Sequence, residues 1–267
     1  MKWTNKKFML TLSGLATLIS LAHSSVVLSQ QFSPVAESFT VRVDAPGDGD
    51  GSGVIIARDG NTYYVLTAWH VVDNPGTYFV RTRDSRTYEV NFADIERLSD
   101  YDLAVLRFNS FHDYQLASIN NERLVSNQPI SVSGWRNPTR AITKITYQFI
   151  SGRLTGYSIP PEEGGYSLTL STGGVFRGMS GGPVVDEDYK VVGIIGQVDS
   201  VIEGLTGLSL GIPISAFLDS HYGQYIQTSQ ISGPTPGDFD ITPTPLPRIP
   251  IPSEVYVPEQ RELPRIE

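Results

Sequence analysis

The sequence contains no cysteine among its 267 residues. This absence excludes disulfide bonds, zinc sites with thiolate ligands, iron–sulfur clusters and catalytic thiols. Histidine is also scarce, with four residues in the whole chain, so a reaction that needs an imidazole has few candidates for it. Lysine and arginine number 20 against 28 aspartates and glutamates, which gives a net charge of −8. Such a chain has little attraction for phosphate backbones, so we expect no nucleic-acid partner.

The N-terminus lacks a hydrophobic run long enough to cross a membrane. Its apolar stretch, Phe8–Ala22, has 15 uncharged residues, whereas a membrane helix needs about 20. Lys2, Lys6 and Lys7 precede this stretch, and small residues suited to cleavage follow it. We therefore expect residues 1–30 to be a removed signal peptide, with no stable membrane span and an extracytoplasmic (periplasmic or secreted) location. An uncleaved membrane anchor is the alternative interpretation.

Proline is concentrated at the other end of the chain. Residues 234–267 hold nine of the 18 prolines. Because proline fixes φ and donates no backbone hydrogen bond, this stretch favours extended polyproline II. We expect residues 227–267 to form a proline-rich disordered tail and residues 31–226 to form the folded domain.

The sequence between these ends is typical of a β protein. Short runs rich in β-branched and aromatic residues are separated by glycine, asparagine, aspartate and proline, and helical periodicity is weak. Arg58–Asn61 predicts a hairpin turn, and Ile214–His221 predicts a short helix after Pro213. Many short strands at close spacing predict an antiparallel barrel or sandwich. The predicted strands are Ser38–Val43, Val54–Ile56, Tyr63–Thr67, Tyr78–Arg83, Leu103–Phe108, Ile130–Ser133, Ile142–Ile150, Ser167–Leu170, Val184–Val185, Val191–Ile195 and Leu208–Ile212.

One histidine and one aspartate stand at the ends of apolar runs. His70 follows the run that begins at Tyr63, and the end of a strand can hold a general base rigidly. Asp102 precedes the run Leu103–Leu106, where a buried carboxylate needs hydrogen-bond donors such as an imidazole N–H. Asp100 is the alternative carboxylate, and a satisfied core histidine is the alternative reading of His70.

Ser180 lies in a glycine-rich segment, Gly178–Pro183. A serine becomes a nucleophile when a base lies within hydrogen-bond reach and backbone N–H groups stabilise the developing oxyanion. Glycines allow the unusual turn that points these N–H groups inward. A glycine-rich turn with an incidental serine is the alternative interpretation.

Four segments of the chain, in the order in which they occur, resemble the trypsin-like (chymotrypsin-fold) serine proteases. The interval is 32 residues from His70 to Asp102 and 78 from Asp102 to Ser180, and both suit that fold. The resemblance covers about residues 38–220, and the segment Gly211–Ser215 is closest to the HtrA-like branch. The four segments are Gly51–Ile56, Leu66–Val72, Asp102–Leu106 and Gly178–Val185.

The resemblance implies two six-stranded antiparallel β-barrels, a short C-terminal helix and an active site between the barrels. It implies that Ser180 is the nucleophile, His70 the general base and Asp102 its orienting partner. The backbone N–H groups of Gly178 and Ser180 would form the oxyanion hole. The expected function is that of a secreted serine endopeptidase, which acts on protein or peptide substrates and needs no cofactor or metal. The sequence does not predict an oligomeric state.

The sequence departs from the family pattern at several points. Met179 stands where digestive members have an aspartate and HtrA-like members usually have asparagine, and Trp69 replaces a small residue before the histidine. HtrA-like proteins continue into a PDZ domain, whereas about 40 proline-rich residues follow residue 226 here, so we expect none.

The residues expected to form the substrate pocket are uncharged. Gly174 occupies the position where trypsin has an aspartate, and Ile195, Gly196 and Gln197 form the predicted rim. With no acid to attract lysine or arginine, we expect cleavage after small or medium uncharged residues.

Three other interpretations remain open at this point. The first is an α/β-hydrolase, because residues 178–182 fit the G-x-S-x-G pattern, but the helix that this pattern needs is disfavoured by Pro183. The second is a calcium loop, because Asp48–Asp59 resembles an EF-hand loop without its flanking helices. The third is a catalytically silent binding module on the protease fold.

Overall fold

The computed structural model describes residues 34–47, 49–98, 100–198, 208–220 and 222–224. The signal peptide and the proline-rich tail predicted from the sequence lie outside these residues, as do His23 and His221. Within the described ranges, no helix is both long and apolar enough to span a membrane.

The N-terminal half forms a seven-stranded antiparallel sheet in the order β5-β4-β1-β2-β3-β7-β6. The strands are β1 (Thr40–Asp44), β2 (Gly51–Asp59), β3 (Thr62–Thr67), β4 (Thr77–Arg81), β5 (Thr87–Asn91), β6 (Glu96–Leu98) and β7 (Leu103–Asn109). Gly60, with a φ of 55°, turns the chain between β2 and β3, which confirms the predicted hairpin. The buried side chains of Val41, Val65 and Leu106 contribute to the core on one face of this sheet.

The C-terminal half forms a closed barrel in the order β10-β13-β12-β11-β8-β9. Its strands are β8 (Pro129–Arg136), β9 (Thr146–Tyr157), β10 (Leu168–Ser171), β11 (Pro183–Val185), β12 (Val191–Val198) and β13 (Leu208–Pro213). Leu154, Leu170 and Ile195 belong to its buried core. A helix follows at Ile214–Leu218, where Pro213 sets the extended backbone that precedes it.

The all-β, chymotrypsin-like fold expected from the resemblance is therefore confirmed. Of the two six-stranded barrels expected, the C-terminal one is closed as predicted, whereas the N-terminal half is a curled sheet of seven strands that leaves β5 and β6 at its two edges. The sequence analysis did not predict strands β5 and β6. Both are short and mostly polar, and they form the two edges of the sheet. The strand predicted at Ile142–Ile150 begins only at Thr146, because Thr139 N–H donates to Ile142 O over 2.6 Å and closes a turn. The strand predicted from Ser38 begins at Thr40, since residues 34–39 are helical.

Ser52 joins the two halves at the point where the site is built. Its N–H donates to Ser180 O over 2.8 Å, and its hydroxyl donates to Gly178 O over 2.7 Å. The same hydroxyl accepts the N–H of Trp135 at 2.8 Å, and Ser52 O accepts the Thr67 hydroxyl at 2.6 Å. Ser52 is completely buried, so these bonds are shielded from water.

Candidate active site

His70 lies in a single 3-10 turn, Trp69–Val71, directly after β3. The N–H of Trp69 donates to Asp102 O over 3.1 Å, which ties this turn to the start of β7. The imidazole is 41% exposed, so one edge of it is open to solvent. The turn therefore presents His70 at the edge of a rigid sheet.

Asp102 is the carboxylate that meets His70. Its Oδ1 accepts the His70 backbone N–H at 2.8 Å, and its Oδ2 lies 2.6 Å from His70 Nδ1. Its own N–H donates to Gly164 O over 2.9 Å. Because a carboxylate only accepts, we assign the imidazole proton to Nδ1, which leaves Nε2 as a base. Of the two carboxylates considered from the sequence, it is Asp102 and not Asp100 that contacts the imidazole.

Tyr166 is a third partner in this cluster, and the sequence analysis did not identify it. Its hydroxyl donates to Asp102 Oδ2, the same oxygen that faces His70 Nδ1. Burial raises the pKa of the Asp102 carboxyl, but the hydrogen bonds from His70 and Tyr166 outweigh it, and the pKa lies below its ordinary value. Burial and the bond to Asp102 raise the pKa of the Tyr166 hydroxyl, so it remains a protonated donor.

The loop before Ser180 points two backbone N–H groups away from the protein's own acceptors. Arg177 O accepts the Asn137 N–H at 2.8 Å, and Met179 O accepts the Gly182 N–H at 3.0 Å. In a trans peptide the N–H points opposite to the C=O, so the N–H groups of Gly178 and Ser180 point away from these contacts. Within the described part of the chain, neither N–H has an acceptor. Gly178 has a φ of 94°, a conformation that favours glycine.

The Ser180 hydroxyl is half-buried and donates to Gly196 O over 3.1 Å. Among the described residues it has no hydrogen bond to His70 Nε2. Gly196 in turn lies directly against Tyr166, because a Cβ at this position would overlap the Tyr166 hydroxyl that binds Asp102. The structure thus brings Asp102 and His70 into direct contact, whereas Ser180 is bonded to Gly196 instead of to His70.

The residues of the predicted pocket differ in their placement. Gly174 is half-buried, and of the residues that the structure describes a Cβ there would meet the ring of Phe176 alone, at 3.8 Å. Ile195 contributes backbone alone, since its side chain is buried in the barrel core. The residue that follows Gly196, Gln197, continues β12. The Arg136 guanidinium lies 3.9 Å from the centroid of the Phe176 ring, so this part of the site carries a positive charge.

Two departures from the family pattern have a structural explanation. Met179 is completely buried in the barrel core, so packing of its thioether holds the loop where other members use a polar residue. Trp69 packs against Phe92 with ring centroids 6.2 Å apart, and the Arg97 guanidinium lies 5.0 Å from its ring. The indole is therefore half-buried and packs, with Phe92, against the core of the N-terminal sheet.

The structure opposes two of the alternative interpretations. In the segment proposed as a calcium loop, the Asp50 carboxylate binds the Arg42 guanidinium at 2.5 Å, and Gly51–Asp59 is a strand. Asp48 lies outside the described residues. Across the described ranges, no group of three or more histidine and acidic side chains could hold a metal ion. The hydrolase pattern fails because β11, an antiparallel strand, follows Ser180 where a helix would be needed.

Comparison with known proteins gives a consistent result. Residues 51–194 match the family described as trypsin-like peptidase domain. A probable periplasmic serine endoprotease, DegP-like, from Pseudomonas fulva is 31% identical over 184 residues, covering 66% of this chain and 36% of the relative. A serine protease Do-like HtrA from Bacillus subtilis is 26% identical over 168 residues, covering 62% and 37%. The chain thus spans about a third of the length of the curated relatives it matches.

Solved structures share the fold. A serine endoprotease from Yersinia pestis superposes with a TM-score of 0.58 at 21% identity, covering 74% of this chain and 66% of that one. An inactive serine-to-alanine form of Rv3671c from M. tuberculosis gives a TM-score of 0.55 at 18% identity, covering 74% and 90%. At these identities the likeness concerns the fold alone.

Proposed function

Because the chain belongs to the trypsin-like peptidase domain family, we propose that it is a serine endopeptidase that hydrolyses peptide bonds through an acyl-enzyme intermediate. The observation that carries this proposal is the pairing of His70 Nδ1 with Asp102 Oδ2 at 2.6 Å. This pairing leaves Nε2 of the imidazole as the basic nitrogen. The glycine-rich turn of Ser180 lies against the segment that leads to His70, because a Cβ on Gly181 would meet Thr67 Oγ1 and Ala68 N. Protein or peptide chains are the proposed substrates, and this chemistry needs no cofactor.

In the proposed reaction, the Ser180 hydroxyl turns from Gly196 O toward His70 Nε2. The Ser180 Oγ attacks the scissile carbonyl carbon while its proton passes to Nε2, and the C–N bond then breaks as Nε2 returns the proton to the leaving amine. A water molecule repeats these steps on the ester and releases the acid product. Asp102 stays ionised throughout and stabilises the imidazolium.

The same proposal assigns the oxyanion hole to the N–H groups of Gly178 and Ser180. Both N–H groups lack an internal acceptor in the described part of the chain, so they can donate to a substrate oxygen without breaking another bond. Loss of one such donor typically costs about 10²–10³ in turnover. The hydrogen bond from Asn137 N–H to Arg177 O, at 2.8 Å, supports this orientation of the Gly178 N–H.

Labelling with a fluorophosphonate probe tests the nucleophile. We expect the wild-type protein to form a covalent adduct on Ser180, because an activated serine attacks phosphorus as it attacks a carbonyl carbon. Ser180→Ala should lose the label. Ser131→Ala should keep it, because among the described residues the Ser131 hydroxyl bonds to Ser151 alone. The adduct is located by mass spectrometry of tryptic peptides.

One observation favours the second candidate, a catalytically silent binding module. The Ser180 hydroxyl is engaged by Gly196 O rather than by His70. Apo structures of active enzymes commonly show such loose catalytic contacts, so we prefer the endopeptidase. A folded wild-type protein that does not react with the probe would instead establish the binding module.

We further propose that the enzyme cuts after small or medium uncharged residues. Gly174 places no acid in the pocket, and the guanidinium of Arg136 beside Phe176 repels lysine and arginine. Profiling with a peptide library should give alanine-, valine- or leucine-like residues before the cut. Cleavage dominated by lysine or arginine would contradict this preference.

We also propose that the mature enzyme works outside the cytoplasm, in the periplasm or secreted. The signal-like residues 1–30 and the similarity to a probable periplasmic serine endoprotease of Pseudomonas fulva support this proposal. Fractionation of cells that express the full chain, followed by N-terminal sequencing, tests it.

A further inference from the structure

We infer that Tyr166 is a positioning residue for the acid–base pair, and that Gly196 has no side chain because the Tyr166 hydroxyl occupies the space where one would lie. This inference rests on the proposed serine endopeptidase function. It concerns Tyr166, which the sequence analysis did not identify, and Gly196, which the sequence analysis assigned only to the rim of the substrate pocket.

The first observation is the hydrogen bond between Tyr166 and Asp102. The Tyr166 hydroxyl donates to Oδ2, so this single oxygen is held between a phenol and the His70 Nδ1 at 2.6 Å. The other oxygen, Oδ1, accepts the His70 backbone N–H at 2.8 Å. With donors on both oxygens, the carboxylate cannot rotate about its Cβ–Cγ bond without breaking a charge-assisted hydrogen bond.

The second observation is the rigid setting of Tyr166. Its side chain is 1% exposed and belongs to the hydrophobic cluster that includes Leu103 and Ile194. The preceding turn contains Gly164, whose carbonyl accepts the Asp102 N–H at 2.9 Å. The segment that carries Tyr166 therefore contacts Asp102 through both backbone and side chain.

The third observation concerns Gly196. Its φ lies outside the left-handed region, so the backbone does not require glycine there. Packing does require glycine at position 196, because a Cβ would overlap the Tyr166 hydroxyl oxygen and lie 2.6 Å from the Tyr166 ring atoms Cε1 and Cζ. Gly196 O also accepts the Ser180 hydroxyl at 3.1 Å, so displacement at this position would reach the nucleophile.

These observations together define a series of hydrogen bonds and one close steric contact across the site. It runs from His70 through Asp102 to the Tyr166 hydroxyl, which abuts Gly196, and Gly196 holds Ser180. Because Tyr166 touches neither imidazole nor nucleophile by hydrogen bond, it acts on the reaction through Asp102. Its removal should therefore affect turnover more than substrate binding.

The test begins with Tyr166→Phe, which keeps the ring in the core and removes the hydroxyl. We expect kcat to fall about tenfold with KM within twofold of wild type, the usual effect of losing a hydrogen bond to a charged group. The downfield proton resonance of His70 Nδ1–H, measured in the Ser180→Ala background, should move upfield and broaden, because the carboxylate is held less firmly.

The rescue combines Tyr166→Leu with Gly196→Ser. Leucine lacks the aromatic ring and the hydroxyl, and these are the atoms that a Cβ at position 196 would meet, so the new serine hydroxyl can take the space beside Asp102 that the Tyr166 hydroxyl leaves. We expect this double variant to recover at least threefold in kcat over its matched control, Tyr166→Leu with Gly196→Ala, which adds the same Cβ without a donor.

Two outcomes would overturn the inference. One is a folded Tyr166→Phe variant with kcat and the Nδ1–H resonance unchanged; the other is equal activity of the serine and alanine double variants. If the wild-type protein is inert toward substrate and probe, the endopeptidase proposal fails, whereas the resonance comparison still decides whether Tyr166 positions the Asp102–His70 pair.

Discussion

Replacement of Asp102 by asparagine is expected to lower kcat about 10⁴-fold, with little change in the fold. The carboxylate accepts two bonds from His70, one at 2.8 Å from the backbone and one at 2.6 Å from Nδ1. An amide can present its NH₂ group toward the ring, in which case Nδ1 must accept and the proton moves to Nε2. The imidazole is then unable to take the proton of Ser180.

The matched control for this experiment is Asp100→Asn. Asp100 was the alternative carboxylate in the sequence analysis, and it is exposed in the turn before β7. It should keep kcat within twofold of wild type. Steady-state kinetics on a peptide substrate and circular dichroism check both variants, and the assignment of Asp102 would be wrong if Asp100→Asn were the more damaging change.

Gly181→Ala is expected to destabilise the protein by about 4 kcal/mol and to abolish activity. Gly181 has a φ of 83°, which disfavours a side chain. A Cβ there would also overlap Thr67 Oγ1 and Ser52 O, and would lie 2.9 Å from Ala68 N. Two of these are backbone atoms of the N-terminal half, so they can yield only if the sheet and barrel separate.

Gly60→Ala is the control that isolates backbone strain from steric overlap. Gly60 has a φ of 55° in the β2–β3 turn, and a Cβ there would meet no atom of the described residues within 4 Å. We expect a loss of about 1 kcal/mol and normal activity. Urea unfolding monitored by tryptophan fluorescence measures both variants. Equal losses would show that strain alone accounts for the effect at Gly181.

The residues of the proposed triad and the all-β fold could be predicted because their signals are local. Glycines crowd around Ser180, and apolar strands end at His70 and begin after Asp102. The hairpin at Gly60 could likewise be predicted from its turn residues. The roles of the three residues remain predictions, although the contact between His70 and Asp102 supports them.

The contribution of Tyr166 could not be predicted, because its partner lies 64 residues away in sequence. A tyrosine at the start of an apolar run looks like an ordinary core residue, and burial of its ring agrees with that reading. Only the packing of the sheet against the barrel brings its hydroxyl to Asp102. The same reason explains why Ile195 was predicted to line the pocket although its side chain lies in the core.

The hydrogen bonds of Ser52 make the conformation of the Ser180 loop depend on the docking of the two halves. The carbonyls of Gly178 and Ser180 are both fixed by Ser52, which belongs to the other half of the molecule. A newly made C-terminal barrel, not yet docked on the N-terminal sheet, lacks these two restraints and also lacks His70. For the proposed endopeptidase, this dependence means that the oxyanion loop and the acid–base pair are assembled together, when the two halves dock.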